Sequence, residues 1–152
     1  MPRMKNTARA DGRVQSRVYL GDGKYKYVYA ANNKELQEKV TELKTKLGKG
    51  IDITAEHDSF DSWGQRWLRR KTNRVSENWA KALDINYRKL GPLLRMEVTE
   101  LRRIDLEDVL TDLAGQGYSE RVIKAVRDIA SGIMEMCVEN RVVEYNPFRA
   151  VE

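Results

Sequence analysis

The sequence predicts an α+β protein: a small β-hairpin or three-stranded sheet with one helix, followed by an all-α bundle of four to five helices. Three observations predict it. Apolar and polar residues alternate with a period of two across residues 13–30. Leu36, Val40, Leu43 and Leu47 recur at four-three-four spacing. From residue 60 to 138, apolar stripes of helical period follow one another, separated by glycine, proline or capping residues.

In the first strand, Val14, Val18 and Leu20 share one face, and Arg13, Gln15, Arg17 and Tyr19 the other. Gly21-Asp22-Gly23 supplies a tight turn, and Lys24 to Ala30 returns with Tyr25, Tyr27 and Tyr29 on one side and Lys24, Lys26, Val28 and Ala30 on the other. A lone hairpin is marginal, so the helix beginning after Asn32 or Asn33 covers its apolar side. Residues 1–12 are polar and basic and are expected to form a flexible arm.

Gly48-Lys49-Gly50 ends that helix, and an acidic stretch follows. The expected organisation is therefore an arm over 1–12, a hairpin-and-helix domain over 13–48, a linker over 49–57 and a helical domain over 58–152. In the last of these, Phe60, Trp63, Gly64, Trp67 and Leu68 form the first stripe, and the helix ends near Lys71. Ser76 caps a second helix with Trp79, Leu83, Tyr87 and Leu90 inward. Asp105 caps a third, with Leu106, Val109, Leu110 and Leu113 inward and Gly115 and Gly117 stopping it. Ser119 caps the longest, whose inward stripe is Val122, Val126, Ile129, Ile133 and Cys137 and which Asn146-Pro147 breaks off.

The chain holds 28 Lys and Arg against 23 Asp and Glu, for a formal charge of +5. The excess sits in two places, residues 1–50 and residues 66–103, which suggests two contact surfaces for an anionic partner. A single cysteine excludes an internal disulfide. No stretch is long and apolar enough to span a bilayer, and the N-terminus lacks the apolar run of a signal peptide, so a cytoplasmic protein is expected.

Catalytic motifs are missing from the sequence. His57 is the only histidine, and there is no CxxC, GxSxG, P-loop or GxGxxG. Cys137 falls on a core stripe, where a thiol is an inert small hydrophobe. Glu107, Asp108 and Asp112 suit helix starts and wet faces. The three tryptophans fit packed stripes better than a base-stacking platform. No metal, cofactor or small-molecule substrate is expected.

Binding residues are easier to nominate. Arg13, Gln15, Arg17, Tyr19, Lys24 and Lys26 are expected to give the hairpin a cationic, hydrogen-bonding face, and a two-stranded ribbon fits the major groove of DNA. Arg66, Arg69, Arg70, Lys71, Thr72, Asn73 and Arg74, followed by Ser76, Asn78 and Lys81, span one helix end, a loop and the next helix start. Ser119, Arg121, Lys124 and Arg127 line the start of the longest helix. Helix N-termini attract phosphate, and Asn and Ser mixed with Arg and Lys suit base and phosphate contacts together.

The stretch from Asp11 to Leu47, with DGRVQSRVYL and KYKYVYA before a helix, resembles the arm-type DNA-binding domain of phage and transposon integrases. The second half, with DSWGQRWL, TNRVSENW, RRIDLEDVL and GYSERVIKAVRDIASGIMEMCVENRVVEYNPF, resembles their SAM-like core-binding domain. Together these look like the N-terminal region of a tyrosine recombinase. That resemblance implies binding to double-stranded DNA at arm-type and core-type sites, beside other integrase protomers, on a mobile element in the bacterial nucleoid. It places the second and fourth helices of the core-binding domain in the major groove. It also implies that recombinase chemistry belongs to a catalytic domain beyond Glu152, so that this chain alone is not an enzyme. The alternatives are a helical protein-interaction module, a fragment that regains activity with a partner chain, and a transcription regulator built on the hairpin domain.

Overall fold

The computed structural model describes residues 12–52, 55 and 57–151, together with the backbone of Thr7–Ala8. The chain divides into two compact units, Met1–Ile53 and Thr54–Glu152.

The first unit is a three-stranded antiparallel sheet in the order β1 (Thr7–Ala8), β2 (Val14–Gly21) and β3 (Lys24–Ala30), covered by helix α1 (Asn33–Gly48). Apart from Thr7–Ala8 and Gly12, the arm expected over 1–12 lies outside the described residues. Asp22 and Gly23 both adopt positive φ, 52° and 73°, as a two-residue hairpin turn requires to match the twist of its strands. Gly21 pairs with Lys24 across that turn, with a bulge between Tyr19 and Gly21. Val18, Ala30, Leu36, Val40 and Leu43 make the core, with Val14, Leu20, Val28 and Leu47 packed around it. Asn32 caps α1 by accepting from the Glu35 N–H at 2.9 Å.

The second unit holds helices α2 (Phe60–Thr72), α3 (Glu77–Arg88), α4 (Arg103–Gly115) and α5 (Glu120–Glu139), with a 3₁₀ turn at Gly91–Arg95. α5 is the central helix and packs against α2, α3 and α4. Its Val126, Ile129, Ala130, Ile133 and Cys137 are buried, as are Leu106, Val109, Leu110 and Leu113 of α4. Ser59, Ser76 and Ser119 cap α2, α3 and α5 by accepting from the backbone N–H three residues on.

Three helices end in one motif. After α1, α4 and α5 the chain turns through a left-handed residue, Gly50, Gly117 and Arg141 respectively. The following N–H returns to a carbonyl of the last turn: Ile51 to Lys46, Tyr118 to Leu113 and Val142 to Cys137. This is the Schellman arrangement, and Arg141 occupies at φ 58° a position that favours glycine.

Three local expectations are corrected. α4 begins at Arg103, so Asp105 is inside its first turn, and its carboxylate accepts from the Arg102 N–H at 2.8 Å. α5 stops at Glu139 rather than running to Asn146-Pro147. Trp79 is 61 % exposed rather than buried. It lies on the stripe that carries Leu83 and Tyr87, but in the first turn of α3, where it borders an open groove.

The stretch between the 3₁₀ turn and α4 is clasped to the start of α2. Phe60 N–H donates to Met96 O at 2.8 Å, Val98 N–H donates to Asp58 O at 3.0 Å, and Val98 and Leu101 are buried. The segment after α5 folds back onto the core. Phe148 is buried against Phe60 edge-on, with centroids 6.3 Å apart. The buried Asn146 ties that segment down: its amide donates to Ser131 O, Ser131 Oγ and Glu135 Oε1, and its carbonyl accepts from Phe148 N–H. No described helix is long and apolar enough to cross a membrane.

Candidate nucleic-acid interface

In the first unit, β2 and β3 alternate so that one sheet face meets α1 and the other is open. Cross-strand partners share a face, and the register pairs Gln15 with Tyr29, Arg17 with Tyr27 and Tyr19 with Tyr25. The open face is therefore arginine among tyrosines. Arg17 Cζ sits 4.5 Å from the Tyr25 ring centroid, in cation–π range. The Tyr19 and Tyr25 centroids are 5.2 Å apart, and Tyr19 Oη accepts from Gly23 N–H at 3.2 Å.

This corrects the expected cationic face. Lys26 pairs with Val18, on the side turned to α1, and Lys24 follows the same alternation beside the turn. The two lysines thus do not join Arg17 on one surface. Tyr25, Tyr27 and Tyr29, which were not nominated as binding residues, take their places. The signal was available, because a two-residue turn sets the register and the register sets the face.

In the second unit, the C-terminal half of α2, one side of α3 and the N-terminal half of α5 surround a groove of about 490 Å³. Trp67, Val75, Trp79, Leu83, Val122 and Ile129 form its apolar lining, and Lys71 and Arg121 stand among its polar members. Lys71 Nζ lies 5.6 Å from the Trp67 ring centroid, and Arg66 Cζ lies 4.5 Å from that of Trp63. The groove thus joins two of the basic clusters that are far apart in sequence.

The nominated residues differ in what remains available to a ligand. Arg74, Asn78, Arg121 and Lys124 are exposed. Lys81 pairs with Glu77 at 3.6 Å, and Arg127 with Asp128 at 3.5 Å. The Ser76 and Ser119 hydroxyl oxygens accept from Trp79 and Val122 N–H, which leaves each hydroxyl proton free to donate to a phosphate. Thr72 Oγ1 donates to Arg69 O, and Asn73 is the C-cap of α2, so both also serve the helix end.

Cys137 and Tyr87 belong to the packed interior. Burial pushes the Cys137 thiol up to about 12, with Asp58 adding to the rise and Arg66 opposing it. That is the opposite of what activates a nucleophile. Burial and the hydrogen bond to Asp61 push the Tyr87 hydroxyl well above its ordinary range. His57 Nδ1 lies 3.0 Å from Glu97 Oε2 at the surface.

No family model matches the sequence, and no curated protein matches it either. Solved structures do resemble the fold. A fragment of a protein from Clostridium leptum is 26 % identical, with a TM-score of 0.56 over 62 % of this chain and 87 % of that one. An integrase-like domain from Bacillus cereus is 16 % identical, with a TM-score of 0.59 over 64 % and 84 %. A lambda integrase dimer bound to a COC′ core site is 13 % identical, with a TM-score of 0.57 over all of this chain and 46 % of the integrase. A lambda integrase tetramer bound to a Holliday junction gives the same score over 48 % of its chain. This chain thus spans a little under half the length of lambda integrase, and at these identities what it shares with the integrase structures is the fold.

Proposed function

We propose that this chain binds double-stranded DNA as the gripping, non-catalytic part of a tyrosine recombinase. In this reading the sheet unit engages arm-type sites, the helical unit engages core-type sites, and further integrase protomers assemble beside it on the DNA. The observation that carries the reading is the groove of the helical unit, which Lys71 of α2 and Arg121 of α5 both line together with residues of α3 and the first turns of α5. Helix starts and cationic side chains at one place suit phosphate. The fold likeness to lambda integrase structures solved on a core site and on a Holliday junction supports the same partner.

Cationic groups that neutralise phosphates release counterions, so affinity falls as salt rises. With about six phosphate contacts, raising salt from about 50 to about 200 mM weakens duplex binding by about a thousandfold. A titration of the whole chain against a duplex at the two salt concentrations tests this, and unchanged affinity overturns the reading. The apolar lining beside exposed Trp79 favours a second reading, in which the groove receives an apolar side chain of a partner protein. In that case Trp79→Ala leaves duplex affinity unchanged while abolishing capture of the partner.

A further inference from the structure

The open face of the sheet carries more than attraction to phosphate requires. Tyr19, Tyr25, Tyr27 and Tyr29 all stand on it, and each is among the exposed large side chains of the protein, with Tyr27 the most exposed of the four at 53 %. A wet sheet face that serves solubility favours charged residues, and a phosphate-binding face favours lysine and arginine. Here four phenol rings surround Arg17. The surface is largely aromatic, with hydrogen-bonding hydroxyls, the Gln15 amide and the Arg17 guanidinium, and Arg13 follows the same alternation just before the strand.

The arrangement is also braced. Arg17 rests against Tyr25, Tyr25 against Tyr19, and Tyr19 against the backbone of the turn at Gly23. Groups held in this way lose little conformational freedom when they meet a ligand. The basic balance of residues 1–50, twelve Lys and Arg against five Asp and Glu, favours an anionic ligand for the unit as a whole. A ribbon of this width fits the major groove. The apolar features displayed there are the 5-methyl groups of thymine, and the feature that takes an arginine fork is the O6 and N7 edge of guanine. Unpaired bases are a poorer match. Stacking needs an open ring face, whereas Tyr25 is already packed against Arg17 and Tyr19, whose ring is tilted 57° to its own.

We propose that this sheet face reads the major groove through contacts of its tyrosine rings with thymine methyl groups, placed around a guanine engaged by Arg17. The proposal rests on the duplex-binding reading above and adds the sequence feature that the sheet unit selects.

The test uses the whole chain and a short duplex with alternating thymine and guanine on one strand, made once with thymine and once with deoxyuridine. Uracil keeps every hydrogen-bonding group and lacks only the methyl. The expected result is weaker binding of the deoxyuridine duplex, by about fourfold for each methyl group that a tyrosine ring would have covered. Tyr27→Ser narrows the difference between the two duplexes by about fourfold, while Tyr27→Phe retains it in full. Equal binding of the two duplexes by the unaltered chain overturns the proposal, as does an undiminished difference in Tyr27→Ser. Tighter binding of the thymine-containing single strand than of the duplex also overturns it, in favour of a stacking platform. Binding to neither duplex removes the duplex reading itself, an outcome distinct from equal binding to both.

Discussion

Gly64 of α2 lies directly against the ring of Tyr87 of α3, so close that a Cβ at Gly64 would overlap the phenol. The Tyr87 hydroxyl donates to the Asp61 carboxylate one turn earlier on α2 at 2.5 Å, and the ring is 2 % exposed. The glycine therefore sets how closely the two helices approach. Gly64→Ala forces them apart or turns the ring off its rotamer, at a cost of about 1–3 kcal/mol. Denaturant unfolding measures this, and an unchanged midpoint would show that the helices yield freely.

Arg141 occupies a left-handed position that Gly50 and Gly117 fill after α1 and α4. Replacing it by glycine relieves the clash of a side chain at positive φ, so Arg141→Gly is expected to stabilise the helical unit by about 1 kcal/mol. A lower thermal midpoint for this variant would mean that the arginine side chain contributes more than its backbone costs.

Glu135 holds the segment after α5 from the other side. Its carboxyl is kept below the ordinary carboxylate range, chiefly by the Asn146 amide and then by the Arg149 guanidinium, whose Nη2 lies 2.7 Å away. Because the folded value is depressed, the stabilisation is complete above the unfolded carboxyl value and is lost as pH falls through the folded one. Glu135→Gln is therefore less stable than the unaltered chain at neutral pH, and the gap closes below about pH 4. Unfolding curves across the acid range test the sign, and a gap that widens in acid would contradict it.

Arg121 and Arg17 are expected to fail in different ways. Arg121 stands at a helix start beside the groove, so Arg121→Ala weakens binding to duplexes held by the helical unit whatever their base sequence and lowers the salt slope by about one. Arg17 is held on a tyrosine ring in the middle of the sheet, so Arg17→Ala costs about 1–3 kcal/mol and relaxes selectivity at one base pair. Equal effects of the two substitutions on all duplexes would dissolve the distinction between a positioning contact and a reading one.

Much of this architecture is legible in the sequence, because burial writes its own period. The stripes of α1, α4 and α5 name their core residues, and Ser76 and Ser119 cap the helices that they precede. Trp79 shows where the period stops informing. A stripe states which side of a helix turns inward, but not how far along the helix its neighbour extends, and the first turn of α3 borders open space. Asn146 shows another limit, since Ser131 and Glu135, which hold it, belong to a helix that ends before it. At the sheet, charge drew Lys24 and Lys26 into a face that strand pairing denies them. The aromatic face follows from the register alone. In the helical unit, the placing of Lys71 and Arg121 on one groove depends on how α2 and α5 pack, which no local pattern encodes.

The edge contact between Phe60 and Phe148 joins the opening of α2 to the segment beyond α5. During synthesis, α2 to α5 leave the ribosome before the residue that closes their core. Until Phe148 and Val151 emerge, both of them buried in the finished unit, the nascent bundle shows an apolar gap to water. Closure of this core therefore waits for Phe148 and Val151, as expected for a unit whose two ends must find each other.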